Sequence, residues 1–511
     1  MNQNITTIIN NNNCKRPECG STLLESRAAF AQSQSEMANA ETTIVIVANN
    51  RIAKTKRCIQ SVLDNTKDQD YNLILIDSGS SDGTLEYFES VPCEKKKVIR
   101  INKNIGGMFP FMCLDMMDIG EYLLFLANDI VVTPNWLKNL LLCIKSDPKI
   151  GMVVPMSTNS SNYQGVSLSF NSDRELMNIA ASFNKSNPKK WQERLRLITL
   201  APIFRKEALI AIGFPLFDPA FYHDFADDDV TFRIRRMGYR AILAGDTFVH
   251  HNHDYRNGED KDQKEFEKSL EMGKKDFREK YFGIDAWDDV NNYYLDILPA
   301  LPTPSVNCKV PAVLGIDVKC GTPILDIKNH LKSCGVENIN AYAFTQEAKY
   351  NLDLMSVCGP QVFCDREEYL RDYFLQNYFD YIVIGKAVNT YHEPQKVIND
   401  SLSFLKKGGK LILTLSNTLG FREFLNICGK RDVYNPSFAY NITPEALQSS
   451  LELFGGKVIF CKARPEALSE NDRGILGQLL QNNCSKSDFS ACLDRLCTGE
   501  FIFGIEKQNK G

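Results

Sequence analysis

The side chains best suited to chemistry in this sequence are five aspartates and a late histidine cluster. Asp77 ends the apolar run Leu73 to Ile76 and opens a Ser/Gly/Asp-rich turn reaching Gly83. A carboxylate at a strand's carboxyl end, where open α/β sheets take ligands, can accept a hydrogen bond from a base or ribose. Asp77 and Asp82 can equally cap the turn and the next helix. Asp129 follows the apolar run Tyr122 to Leu126. A hard divalent cation wants oxygen ligands and open positions for phosphate, which a carboxylate at a strand mouth supplies. Capping a helix before Thr133-Pro134 is the rival role, and Asn128 can orient Asp129 or touch a sugar. Asp227, Asp228 and Asp229 stand together at an expected helix start. Their mutual repulsion raises at least one pKa, towards the range of a general base. A helix-dipole role, with Asp229 pairing Arg233 one turn on, explains the same residues structurally. His250, His251 and His253 close a strand, with His251 and His253 on one face and His250 on the other. Imidazole suits a transition metal such as Mn2+, and a solvated strand end is the plain alternative.

The elements that must hold these residues are strands alternating with helices. Thr43 to Val47 and Leu73 to Ile76 read as buried strands, with a helical face of Ile59, Val62 and Leu63 between them. Further strands are expected at Val98 to Ile101, Tyr122 to Leu126 and Met152 to Pro155, and helices at Pro134 to Lys145, Asp227 to Met237 and Asp254 to Tyr281. This order predicts an α/β domain over residues 42–284. Residues 1–41 are polar and read as an N-terminal arm, mobile or docking. Residues 285–308, with Pro299, Pro302 and Pro304, read as a linker. A second α/β alternation fills 309–511, with strands at Ala312 to Val318, Ile339 to Phe344, Tyr381 to Ile384 and Lys410 to Leu415.

The 511 residues are too many for one ordinary domain. A net charge of −4 gives no global pull towards nucleic acid, so none is expected as partner. No apolar run reaches the ~18 residues of a membrane span, and the first residues lack a secretory pattern. The 16 cysteines are scattered, as in reduced thiols; Cys14 and Cys19 lack the second pair a zinc site needs. These features predict a cytoplasmic protein, with a peripheral position at the inner face of the membrane as the alternative. Nothing in the sequence specifies an oligomeric state.

Taken in order, the motifs resemble family 2 glycosyltransferases of the GT-A fold over about residues 42 to 255. Val47 to Arg51 resembles the first-strand motif, and Asp77 to Gly83 the Asp-(Asp/Asn)-Gly-Ser-x-Asp-Gly segment. Asn104 to Gly107 is similar to the Asn-x-Gly-Gly element, and Leu126 to Ile130 to the Asp-x-Asp metal motif. Val154 to Asn159 resembles a segment seen in many members. Gly213 to Tyr239 resembles the acceptor-side block, and Val249 to His251 the closing metal-ligand segment. The resemblance implies a nucleotide seat formed by Ala48, Asn50, Asp77, Ser78, Gly106, Gly107 and Asn128. It implies Mn2+ or Mg2+ on Asp129 with His250 or His251, and a base at Asp227, with Asp228 and Asp229 as rivals. Ser78, Ala127 and Ala226 depart from the pattern by replacing acids. The implied reaction is inverting transfer of a hexosyl or N-acetylhexosaminyl group from a nucleotide sugar, UDP-linked, to a hydroxyl of a glycan or protein. A non-catalytic carbohydrate- or protein-binding scaffold is the alternative of another class.

Residues 311–465 resemble a class I S-adenosylmethionine-dependent methyltransferase. Asp317 to Pro323 stands where that family has Asp-x-Gly-x-Gly-x-Gly, and Phe379 to Gly385 resembles its fourth strand. Lys319 and Pro323 replace two of the glycines, and Ala343-Phe344-Thr345 offers no acid for a ribose. The expectation is a domain that has lost the cofactor; a bifunctional glycosyltransferase and methyltransferase is the other outcome.

Overall fold

A computed structural model of the protein describes residues 6–9, 40–104, 119–213, 216–218, 220–221, 225–252, 260–292, 294, 297–301, 310–421, 423, 440–466, 468–483, 485 and 488–508. The chain divides into two compact units, Met1–Asn291 and Asn292–Gly511.

The first unit is built on a ten-stranded sheet. Its strands are β1 (Thr6–Ile9), β2 (Thr42–Ala48), β3 (Tyr71–Ser78), β4 (Lys96–Ile101), β5 (Tyr122–Ala127), β6 (Ile130–Val131), β7 (Ile150–Ser157), β8 (Trp191–Glu193), β9 (Ile203–Arg205) and β10 (Arg240–His251). They run in the order β1-β4-β3-β2-β5-β9-β7-β10-β6, with β8 beside β10. Strands β1 to β5 are mutually parallel, β9 runs against β5 and β7, and β10 is again parallel to β7. Parallel strands are covered on both faces, so they read as unbroken apolar runs, and Ile44, Ile46, Leu73, Leu75, Leu124 and Leu126 are fully buried. Helix α1 (Ile52–Asn65) lays Cys58, Ile59 and Val62 on this core, and α3 (Trp136–Lys145), which follows α2 (Thr84–Ser90), buries Trp136, Leu137 and Leu140. The indole N–H of Trp136 is satisfied by Thr66 at 3.1 Å.

Three further helices are α4 (Asp173–Phe183), α5 (Lys206–Ile212) and α6 (Ala226–Arg236), and α7 (Asp260–Lys280) follows. Strands β6, β8 and β9 and helices α4 and α5 were beyond the expected set. Two are strands of three residues and one of two, too short for a periodicity to register. The segment expected as a polar arm contributes β1, whose Thr-Thr-Ile-Ile composition suits an edge strand beside β4. The start of the expected linker is also structured. Asp285 and Asp289 are buried, and Asp285 pairs with Lys274 and Arg278 of α7. Pairing across space, which local periodicity does not report, fixes that segment. Its later part, residues 302–309, lies outside the described residues.

The second unit holds a seven-stranded sheet of β11 (Ala312–Ile316), β12 (Asn340–Thr345), β13 (Val362–Cys364), β14 (Phe379–Ile384), β15 (Leu405–Ser416), β16 (Gly456–Pro465) and β17 (Thr498–Lys507). The order is β13-β12-β11-β14-β15-β17-β16, with β17 antiparallel to both neighbours. Helix α8 (Thr322–Ser333) follows β11 directly. Among the described residues no helix is long and apolar enough to cross a membrane.

Candidate active site

The parallel register brings the strand ends of the first sheet to one edge. Ala48 pairs with Asp77, Val47 with Ala127, and Val249 with Ser157. Strand β6 turns back against β10, pairing Ile130 with His251, and the Asn252 N–H donates to the Asp129 carbonyl at 2.9 Å. This antiparallel contact sets Asp129 beside His251.

At the β2–β3 corner the backbone leaves β2 through Asn50 and Arg51, both at positive φ of 54° and 61°. The Asn50 N–H donates to Ser80 Oγ at 2.8 Å, and the Ser81 N–H to Asn50 Oδ1 at 2.9 Å. Asn128 donates to the Asn50 carbonyl at 3.2 Å and to Thr55 Oγ1 at 3.0 Å. Gly79 is needed for space as well as for its φ of 73°: a Cβ there would stand 2.3 Å from the Lys103 carbonyl carbon. Ser78 is buried, and its carbonyl accepts from Asn49 at 2.6 Å.

Asp77 itself is fully buried. Its Oδ1 accepts from the Ser80 N–H at 3.1 Å and its Oδ2 pairs with Arg100, which also donates to the Ser80 carbonyl at 3.0 Å. Asp82 is a cap: it accepts from the Ile52 N–H at 2.8 Å and from Thr84 Oγ1 at 2.6 Å. Gly106 and Gly107, with His223 and His253, lie outside the described residues.

At the next corner His251 Nε2 lies 3.6 Å from Asp129 Oδ2. Asp129 Oδ1 is buried with no hydrogen-bond partner among the described residues. Burial works against the ionised carboxyl, but His251 and Lys54 outweigh it and hold its pKa below the ordinary value. His250 faces away. Its Nδ1 is bonded to Thr158 at 2.7 Å, and its ring meets Phe170 edge-on at 5.0 Å. Burial, with Arg57 adding, lowers the His250 pKa to about 4, so it is neutral at ordinary pH. Strand alternation thus turns His251, and not His250, towards Asp129. Among the described residues no three His, Cys, Asp or Glu side chains converge as a metal cluster.

The three adjacent acids on α6 have separate fates. Asp229 is fully buried between Arg233 (2.8 Å), Lys280 and the Tyr281 hydroxyl (2.6 Å). Asp228 is buried against Arg196, whose guanidinium lies over the Trp287 ring at 5.4 Å. Burial outweighs that cation and raises the Asp228 pKa. Asp227 is partly exposed and accepts the Thr199 hydroxyl, with no ion pair among the described residues. Burial of its carboxyl, with Asp228 adding repulsion against the Thr199 bond, raises the pKa to about 6. Arg100, Thr199, Arg196, Lys280 and Trp287 were not anticipated. The first four meet their acids from distant segments, Trp287 lies against Arg196, and no local pattern marks any of them.

Residues 43–210 match the family model described as glycosyl transferase family 2, so the chain carries a glycosyltransferase domain. No curated protein matches the chain. Among solved structures, GalNAc-T7 with UDP, GalNAc and Mn2+ aligns at 17% identity over 43% of this chain and 45% of that one, with a TM-score of 0.35. The mannosyltransferase PcManGT from Pyrobaculum calidifontis, in complex with GDP-Man and Mn2+, aligns at 18% identity over 46% of this chain and 66% of that one (TM-score 0.31). A SAM-dependent methyltransferase from Archaeoglobus fulgidus aligns at 16% identity over 45% of this chain and 98% of that one (TM-score 0.29). The chain thus spans less than two thirds of either glycosyltransferase.

Proposed function

We propose that the first unit transfers a sugar from a nucleotide sugar, UDP-linked, to a hydroxyl of a glycan or protein, with inversion at the anomeric carbon. The observation that carries this reading is the distinct state of Asp227. Of three neighbouring acids it alone has no ion pair among the described residues, and it has a pKa near the operating range of a general base.

Asp227 takes the proton of the acceptor hydroxyl. The acceptor oxygen forms its bond to the anomeric carbon as the bond to the diphosphate oxygen breaks, and nucleoside diphosphate leaves with the electron pair. Asp228 and Asp229 hold the helix start through their cations and take no part in proton transfer. Around the donor, Ala48, Asn50, Ser78 and Asn128 line the turn beside Asp77, whose pairing with Arg100 gives the corner its shape.

A divalent cation fits the next corner. Asp129 Oδ1 is buried and has no hydrogen bond among the described residues, and His251 turns Nε2 to the same carboxylate. The His251 Nδ1 faces the Asn159 carbonyl at 3.4 Å, and a proton held on Nδ1 by that contact puts the ring's lone pair on the Nε2 that faces Asp129. Asp129 and His251 would hold the cation, and the imidazole favours Mn2+ over Mg2+. When bound, it neutralises charge on the departing diphosphate.

A screen of nucleotide sugars with Mn2+, read by mass spectrometry of acceptors and by the anomeric configuration of the product, tests the reading. Transfer abolished by Asp227→Asn supports it. Undiminished transfer by that variant removes Asp227 from the base role. A binding scaffold is favoured by the closure of Asp77 on Arg100; it predicts no binding of UDP-sugars with or without Mn2+.

A further inference from the structure

In the second sheet the strand order reverses between β11 and β14. The crevice beyond the carboxyl ends of two such strands is where an open α/β sheet takes its ligand. S-Adenosylmethionine is the ligand implied for this fold, and the residues at the crevice do not suit it.

Asp317, the first residue past β11, is already engaged. Its Oδ1 accepts the Gln346 N–H at 2.8 Å, and its Oδ2 accepts the Gln346 side-chain amide at 2.9 Å and the Tyr391 hydroxyl at 2.8 Å. Gln346 follows β12 and Tyr391 follows β14, so one carboxylate ties three strand ends together. The Tyr391 ring is 1% exposed, and the Lys386 ammonium stands over it at 4.8 Å. The two lips also meet at Gly385. A Cβ on Gly385, at the end of β14, would lie 2.7 Å from the Asp317 carbonyl oxygen and from Val318 Cα. Lys319 holds a φ of 54°, in the left-handed region that favours glycine, with a long cationic side chain where glycine leaves backbone open to a ligand. Pro323 in the first turn of α8 removes an N–H donor.

We infer that the second unit does not bind S-adenosylmethionine, because the Tyr391 ring and its hydrogen bond to Asp317 occupy the crevice where the cofactor would lie. Lys319 adds a like charge to the cofactor's sulfonium. The unit keeps the fold and replaces the ligand with its own side chains.

Equilibrium dialysis of the full-length protein with labelled S-adenosylmethionine and S-adenosylhomocysteine tests this. Retention of neither at millimolar ligand is expected, and saturable binding of either overturns the inference. The two arms separate charge from filling: binding of the neutral homocysteine form alone would leave Lys319 as the obstacle and refute the filled crevice. In a second arm, Tyr391→Ala opens the space. Adenosine should raise the melting temperature of that variant by a few degrees and leave wild type unchanged. No response in Tyr391→Ala, or an equal one in wild type, removes Tyr391 as the occupant. Should that variant fail to fold, Tyr391→Phe keeps the ring and loses only the bond to Asp317. It should still refuse both ligands, and binding by it overturns the ring's part.

Discussion

The Thr199 hydroxyl donates to Oδ1 of Asp227, 28 positions later, and this bond sets Asp227 apart from its two neighbours. Asp228 and Asp229 are paired directly with arginine or lysine, whereas the direct partner of the Asp227 carboxylate is a neutral hydroxyl, with Arg196 acting on it only at longer range. A carboxylate held in that way keeps its basicity.

Asp227→Asn is therefore expected to lower transfer by about 10²–10⁴-fold while leaving donor binding intact. It should also stabilise the fold. The folded pKa of about 6 lies above the unfolded value, so ionised Asp227 opposes folding; this penalty is complete above about pH 6 and absent below the unfolded pKa of ~4. The variant should gain on the order of 1–2 kcal/mol at pH 7.5, and the gain should vanish near pH 4. Chemical denaturation at the two pH values checks the sign. A variant less stable than wild type at pH 7.5 contradicts the assigned state.

Thr199→Val removes the donor and keeps the shape. Losing a bond of about 1 kcal/mol to the ionised carboxylate should move the acid limb of kcat/KM upwards from about pH 6 by roughly one pH unit. Thr199→Ser should restore the wild-type profile. A structural role alone would lower activity at every pH without moving the limb.

Asp229 is expected to act on stability instead. It is fully buried between Arg233, Lys280 and Tyr281, so Asp229→Ala takes the shared carboxylate from all three, leaving Lys280 to Asp218 and Arg233 to the Leu216 carbonyl. A loss of about 3–5 kcal/mol follows. Urea unfolding measures it, and a loss below about 1 kcal/mol would show the network to be unimportant.

The alternation of strands and helices and its acids were legible because parallel strands are continuous apolar runs and their ends carry the polar residues. Asp77, Asp129 and Asp227 could thus be picked out from sequence, and so could the pairing of Asp229 with Arg233, one helical turn apart. Their division of labour could not. Arg100, Arg196, Thr199 and Lys280 each arrive from another segment, so nothing in the spacing of the three acids says which is neutralised. Lys319 shows the opposite limit. Its departure from glycine was visible, but the backbone kept the positive φ of the pattern and the crevice was filled by Tyr391, which carries no signal of its own.

His250 and His251 are adjacent in sequence and are expected to separate in function. His251 faces Asp129, while His250 lies on the far side of β10 beneath Phe170 with its Nδ1 bonded to Thr158. His251→Ala should weaken Mn2+-dependent UDP binding about 10–100-fold and leave the melting temperature within a few degrees of wild type. His250→Ala should do the reverse, losing about 1–3 kcal/mol of stability as a buried ring and its hydrogen bond are removed, with Mn2+-dependent binding preserved. Calorimetric titration of UDP into each variant, with and without Mn2+, decides between them. Equal loss of metal-dependent binding in both variants would mean that the two rings serve one cation, and strand alternation at the end of β10 would then have to break on binding.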